Sequence, residues 1–250
     1  MNLSFIAEKC QYLLNNSPEG EETLTYISNR LTQESQNNFL FGYFPPAEKI
    51  DLLLNLIGEE PLLENKLIYT REISSNASAR NNIFSYFENY PMIVPYRDVY
   101  GNIIALMGRS ILSDTERKEK KISKYKNTSF NRGNHLFGLF ESKQEILSSG
   151  FAYVVEGQFD VIKAHEKGLK NIVGLGSSNM TGYQASLLAR YTDTLFLLLD
   201  NDEAGEAGRK KIIEKYGKFI NINNLYLPEG YKDIDEYLSQ NSLESMTLLC

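Results

Sequence analysis

Phe151-Ala152-Tyr153-Val154-Val155-Glu156-Gly157 and Thr194-Leu195-Phe196-Leu197-Leu198-Leu199-Asp200-Asn201-Asp202 decide how this chain is read. Each is an apolar, β-branched or aromatic run of strand length that ends abruptly on an acid. Between them, Asp160 to Lys167 has helical spacing and stops at Gly168, Asn171 to Leu175 is another apolar run closed by Gly176, and Thr181 to Tyr191 is helical again. Beyond them, Glu203 to Tyr216 reads as a helix ended by Gly217, Ile222 to Leu227 as a strand and Ile234 to Leu238 as a last helix. Strand and helix alternating at this spacing imply βαβ crossovers and a parallel sheet covered on both faces, so residues 150–250 are expected to form an α/β domain.

Upstream of Gly150 the rhythm differs. A helical opening (Leu3 to Asn15) and a second periodic stretch (Thr23 to Leu31) give way to short segments broken by Pro45, Pro46, Pro61, Pro91 and Pro95. Residues 1–149 are expected to be a mixed α+β subdomain. Within it, Met92 to Pro95 and Ile103 to Met107 flank a turn-rich Arg97 to Asn102, which predicts a β-hairpin.

The 250 residues are 42% hydrophobic and 23% charged, which excludes a disordered or fibrous chain. Apolar runs such as Thr194 to Leu199 fall far short of the roughly 20 residues of a membrane span, and the N-terminus lacks a basic-then-apolar signal. The sequence therefore reads as soluble and cytoplasmic. Cys10, Cys250, His135 and His165 provide neither a disulfide framework nor a Cys/His zinc site, so no zinc is expected and any metal must sit on carboxylates. A net charge of −6 argues against a protein that coats nucleic acid all over, while leaving room for local basic patches.

In an open parallel sheet, ligands bind beyond the C-terminal strand ends. Three of the four strand ends deliver carboxylates: Glu156 with Asp160, Asp200 with Asp202, and Asp233 with Asp235. Acids gathered at one edge raise one another's pKa and call for cations, and an all-oxygen set suits Mg²⁺ or Mn²⁺. The plainer alternative is helix capping, by Asp202 ahead of Glu203 and by Asp233 ahead of Ile234. An EF-hand is excluded, because a loop starting at Asp200 puts Lys211 at the twelfth position, where a bidentate acid is needed. The remaining strand end, Gly174 to Ser178, is a glycine turn ahead of a helix. It could hold a phosphate on free N–H groups or be a plain tight turn.

Val155-Glu156-Gly157 with Asp160, followed by Asp200-x-Asp202-x-Ala204-Gly205, resembles the Toprim motif of bacterial-type primases, topoisomerases and some nucleases. Other segments resemble, in order, parts of the DnaG-type primase catalytic core. They are Gly42 to Pro46, Pro95 to Gly101 with Gly108-Arg109, Lys124-Tyr125 with Asn127, and Arg132-Gly133 with Leu136 to Leu139. Gly230 to Leu238 looks like that family's third acidic motif, with Ile234 where a proline is usual. The likeness runs over roughly residues 12 to 240.

The resemblance implies a Toprim domain of Rossmann-like design behind the α+β subdomain. It also implies templated joining of nucleoside triphosphates into short RNA primers on single-stranded DNA. Glu156, Asp160, Asp200, Asp202, Asp233 and Asp235 would form the divalent-metal centre, with Glu156, Asp200 and Asp202 catalytic. Gly176 and Ser177 would border that centre, and Arg97, Arg109, Lys124, Tyr125, Asn127 and Arg132 would line a track for nucleotide phosphates and template. From Arg109 to Arg132 there are eight Lys/Arg against three Asp/Glu, with Tyr125 and Phe130 interleaved, a composition suited to a phosphate backbone and stacked bases. Arg117, Lys118, Lys120 and Lys121 read more simply as a solvated loop. The family's zinc-binding and helicase-interacting parts have no counterpart here, and its following helical bundle is at most a stub after Leu238. A zinc-binding domain or a replicative helicase is therefore expected to act in trans. The rivals are a Toprim nuclease using water as nucleophile, a topoisomerase, which would need far more chain, and a non-catalytic nucleic-acid-binding module, for which a repulsive acid cluster has no use.

Overall fold

The computed structural model describes residues 2–70 and 83–243, so Cys250 lies outside the described residues. The chain divides into two compact units: residues 1–96 with 103–130, and residues 97–102 with 131–250. No helix among the described residues is long and apolar enough to cross a membrane.

The first unit opens with α1 (Leu3–Asn16), capped by the Asn2 side chain, which accepts from the Ser4 N–H. Ile6, Ala7, Cys10, Leu13 and Leu14 recur at helical spacing and are buried on one face. That face meets β1 (Gly42–Tyr43), where a Cβ on Gly42 would lie 2.6 Å from Cys10 Cβ. Next come α2 (Glu21–Ser28), α3 (Gln33–Asn38), α4 (Asp51–Ile57) and α5 (Glu59–Glu64). A two-stranded ribbon of β2 (Ile68–Thr70) and β3 (Ile83–Ser85) follows. The expected hairpin is present as β4 (Met92–Arg97) and β5 (Ile103–Arg109). In the loop that joins them, the Asp98 carboxylate accepts from the Tyr100 and Asn102 N–H groups, each at 2.9 Å. The solvated loop expected around Lys118 is a short helix, α6 (Asp114–Glu119), because Ser113 and Glu116 form a reciprocal capping box. β6 (Tyr125–Asn127) completes a sheet of order β1-β4-β5-β6.

The second unit continues with α7 (Leu139–Ser149), which ends at Gly150 in the left-handed region. The expected alternation follows as β7 (Ala152–Val155), α8 (Gln158–Glu166), β8 (Ile172–Gly174), α9 (Gly182–Leu188), β9 (Thr194–Leu197), α10 (Glu203–Tyr216), β10 (Asn221–Asn224) and α11 (Ile234–Gln240). Every pair in this sheet is parallel, in the order β10-β9-β7-β8. Val154, Val173, Leu195 and Leu197 feed one core with Leu188 and Ile212 from the helices. On the sheet, Phe151, Tyr153 and Phe196 make an edge-to-face cluster that stays half-buried. The chain leaves β7 for β8 on one side and returns to β9 on the other. The crevice at such a reversal is the usual ligand position, and Glu156 and Asp200 follow the two strands that flank it.

Candidate functional site

Glu156 is delivered by the buried end of β7, and its Oε1 accepts from the Asp200 N–H at 3.3 Å. The acids after β7 and β9 are thus tied through backbone. Helix α10 begins so close to them that a Cβ on Gly205 would lie 2.1 Å from Asp200 O and 3.1 Å from Glu156 Oε1. Asp160, in the first turn of α8, is buried. Its two oxygens accept from Gly157 N at 2.9 Å and from Asp235 N at 3.2 Å, which joins the first acidic segment to the third. Asn201 N donates to Lys232 O at 2.7 Å, and its amide reaches Leu227 O and Tyr231 O, which joins the second to the third. The structure therefore brings all six expected acids to one edge of the parallel sheet.

Their electrostatics follow from that crowding. Burial, with the charges of Asp233 and Asp200, pushes Asp160 up to about 7. Burial and Asp200 raise Glu156, and burial and Asp233 raise Asp200. Asp202 is held low by the Gly205 N–H and by Lys232. The capping alternative also holds. Asp202 Oδ1 accepts from Ala204 N and Gly205 N at 3.0 Å each, and Asp233 Oδ1 accepts from Glu236 N at 2.8 Å. Capping uses one oxygen of each, so it does not compete with a second role. The Lys232 ammonium lies 3.4 Å from Asp202 Oδ2 and 3.6 Å from Asp200 Oδ2. Among the described residues, no three His, Cys, Asp or Glu side chains are already drawn close enough to hold an ion. The donor set and the cation drawn to it nevertheless suit a hard divalent ion, with Mg²⁺ typically keeping several of its waters.

The glycine turn belongs to the same unit. Gly176 has φ +77°, its N–H donates to Glu156 O at 2.8 Å, and a Cβ there would lie 2.7 Å from Arg132 Cδ. Arg132 is thus laid on the glycine turn, with Ser177 next to it. Buried Gln184 secures this, donating to His135 O at 2.8 Å and to Leu175 O at 3.0 Å. Arg97 pairs with Glu141 at 2.5 Å. In the other unit, Arg109 is 4% exposed, not on an open strip. It lies against the rings of Tyr26 and Tyr125 and donates to Tyr125 Oη at 2.9 Å. Lys124 is exposed beside Tyr125, and Asn127 pairs with Met107 across β5 and β6. Arg209 and Gln184 escaped the sequence reading, whereas Asn201, between Asp200 and Asp202, and Lys232, before Asp233, lie beside acids it singled out but were given no role there.

A family model described as the DNA primase catalytic core, N-terminal domain, matches residues 10–143, and one described as Toprim-like matches residues 153–238. The chain belongs to the DnaG-type primase family. This primase-family chain is 29% identical over 242 residues to the DNA primase of Aquifex aeolicus, covering 96% of itself and 47% of that protein. It is 30% identical to the DNA primase of Synechococcus elongatus, covering 90% of itself and 33% of that protein. It thus spans about half or less of these relatives. Among solved structures, it resembles the zinc-binding and RNA polymerase domains of Aquifex aeolicus primase with a TM-score of 0.74 at 29% identity, covering 98% of itself and 61% of that chain. A Pseudomonas aeruginosa DNA primase domain gives a TM-score of 0.76 at 27% identity, with coverages of 97% and 75%.

Proposed function

We propose that this primase-family chain is the catalytic part of a DNA primase, joining nucleoside triphosphates into short RNA primers on a single-stranded DNA template. The observation that carries this reading is the gathering of three acidic segments at one sheet edge in a chain whose first 143 residues match a primase-specific model from residue 10 onward.

Asp200, Asp202 and Glu156 would hold the divalent ions, with Asp160, Asp233 and Asp235 completing the acidic edge. When bound there, Mg²⁺ or Mn²⁺ lowers the pKa of the attacking 3′-hydroxyl and neutralises charge on the pyrophosphate leaving group. Glu156 is half-buried, and burial with the charge of Asp200 raises its proton affinity, which suits it to accept a proton from the attacking group. The Gly176 turn and Arg132 would receive phosphate oxygens. Arg97, Lys124, Tyr125 and Asn127 would serve template and nucleotide, Lys124 by charge and Tyr125 by its ring, with buried Arg109 contributing by holding Tyr125. A zinc-binding domain, of the kind the Aquifex aeolicus protein contains, and a replicative helicase are the proposed partners, and the compartment is that of DNA replication.

The test is primer synthesis by the purified chain on a mixed-sequence single-stranded template with labelled nucleoside triphosphates and Mg²⁺ or Mn²⁺, beside Glu156→Gln. Short products that vanish in the variant are expected. Template degradation that depends on Glu156, without synthesis, would transfer the site to a nuclease.

A further inference from the structure

We infer that Arg209 is the positioning residue of the acidic centre: its buried guanidinium grips the backbone of Leu199 and Asp200 from beneath and so sets where the Asp200 and Asp202 carboxylates meet a divalent ion. This rests on the reading of that centre as a metal site.

Strand β9 ends at Leu197, so the carbonyls of Leu199 and Asp200 lie past its ladder and need other donors. Arg209, midway along α10 and 1% exposed, supplies them. Its Nη1 donates to Asp200 O at 3.1 Å, and its Nη2 donates to Leu199 O at 2.5 Å and reaches Leu225 O at 3.5 Å. With Asp200 N held by Glu156, the peptide units on both sides of Asp200 are fixed, the one before it by Glu156 and Arg209 together and the one after it by Arg209. The Tyr226 ring lies 4.5 Å from the guanidinium carbon and closes the outer side.

Two features set this arginine apart from a packing residue. Its Nε is buried without a hydrogen-bond partner, a cost that an apolar side chain of similar volume would not carry. Its nearest recorded carboxylate, on Glu206, is 3.9 Å away and 42% exposed, so the charge is not consumed by a tight pair. It acts on the acids instead, and it is among the groups that lower Glu156. A planar fork matched to two successive carbonyls is a function that lysine lacks.

The experiment is a titration with Mn²⁺ alone, read by electron paramagnetic resonance on the full chain, comparing wild type, Arg209→Lys, Arg209→Gln and Leu188→Ala. Leu188 is a buried α9 residue of the same core, distant in sequence from the acid-bearing loops, and serves as a control for general destabilisation. Each variant is first checked for fold by circular dichroism and thermal melting. The two Arg209 variants should bind Mn²⁺ about 10- to 100-fold more weakly, the range for residues that orient metal ligands, while Leu188→Ala melts earlier and binds as wild type does. Wild-type affinity in whichever Arg209 variant folds, or equal weakening in Leu188→Ala, would overturn the inference alone. Absence of any Mn²⁺ site in the wild type would overturn it together with the metal reading beneath it.

Discussion

Around Asp200 the backbone is tied down and the carboxylates are left to repel one another. Around Arg109, in the other unit, the charged group itself is tied down between two tyrosines. Burial and neighbouring carboxylates raise the proton affinities of Glu156, Asp160 and Asp200, while Asp202 is held low by the Gly205 N–H and Lys232. The arginine's charge is spread over aromatic faces and a hydroxyl, an arrangement that stabilises the fold whether or not a ligand arrives. Repulsion of this kind is what a bound cation would relieve. A cation that is already satisfied marks a region whose first task is structural.

The largest expected effect comes from removing that repulsion. Asp200→Asn with Asp202→Asn should lower metal-dependent synthesis by about 10²–10⁴-fold while leaving the affinity for single-stranded DNA near wild type. Full activity in the double variant would remove the acids from the chemistry. Next comes the close approach of α10. Gly205→Ala places a Cβ against Asp200 O, and the required backbone shift should cost about 1–3 kcal/mol in denaturant unfolding, with loss of Mn²⁺ binding beyond that cost.

The pH dependence of unfolding sharpens the contrast inside α8. Asp160 is raised to about 7, so folding takes up a proton, and stability should fall as pH rises from about 4 to about 7. His165, on the same helix, is lowered to about 4 by burial beside Ser142 and by Lys170. Its contribution is present above its ordinary value of 6.5 and is lost as pH falls towards 4. The two slopes, each at most about 1.4 kcal/mol per pH unit, oppose each other over nearly the same range. His165→Gln should therefore expose a metal-free chain that weakens as pH rises, and Asp160→Asn one that weakens as pH falls. Parallel curves for the two variants would contradict both assignments.

Strand–helix alternation was legible from Phe151 onward because β7, β8 and β9 are apolar runs that end on residues of another kind, whereas the edge strand β10 is the polar Asn221–Asn224 and not the expected Ile222 to Leu227. Helix α10 was read with its bounds intact, since Asp202 and Gly217 punctuate it. Glu156 and Asp200 stood out for the same reason, since each closes an apolar run, and the other four acids by following the strand ends in the next loop or first helical turn. What stayed hidden was long-range and mediated by backbone. Nothing in the spacing of Arg209 says that its fork reaches carbonyls nine and ten residues back. Nothing around Gln184 says that it holds the Arg132 turn. The basic stretch was misleading in another way: composition counts Arg109 and Lys124 alike, while packing against Tyr26 and Tyr125 buries Arg109 in β5 and leaves Lys124, just ahead of β6, exposed.

That last difference yields the smallest and most selective prediction. If Lys124 faces phosphate, Lys124→Ala should weaken single-stranded DNA binding by a modest factor and reduce the dependence of log K on log salt by about one ion, with no change in thermal stability. Arg109→Lys should do the reverse. It forfeits the bond to Tyr125 Oη and the flat contact with both rings, so the melting temperature drops while the salt slope stays at its wild-type value. A changed slope in Arg109→Lys at full stability would show that the buried arginine is itself a phosphate contact. The distinction between an acidic region that waits for its partner and a basic region that carries its own would then fail at its second term.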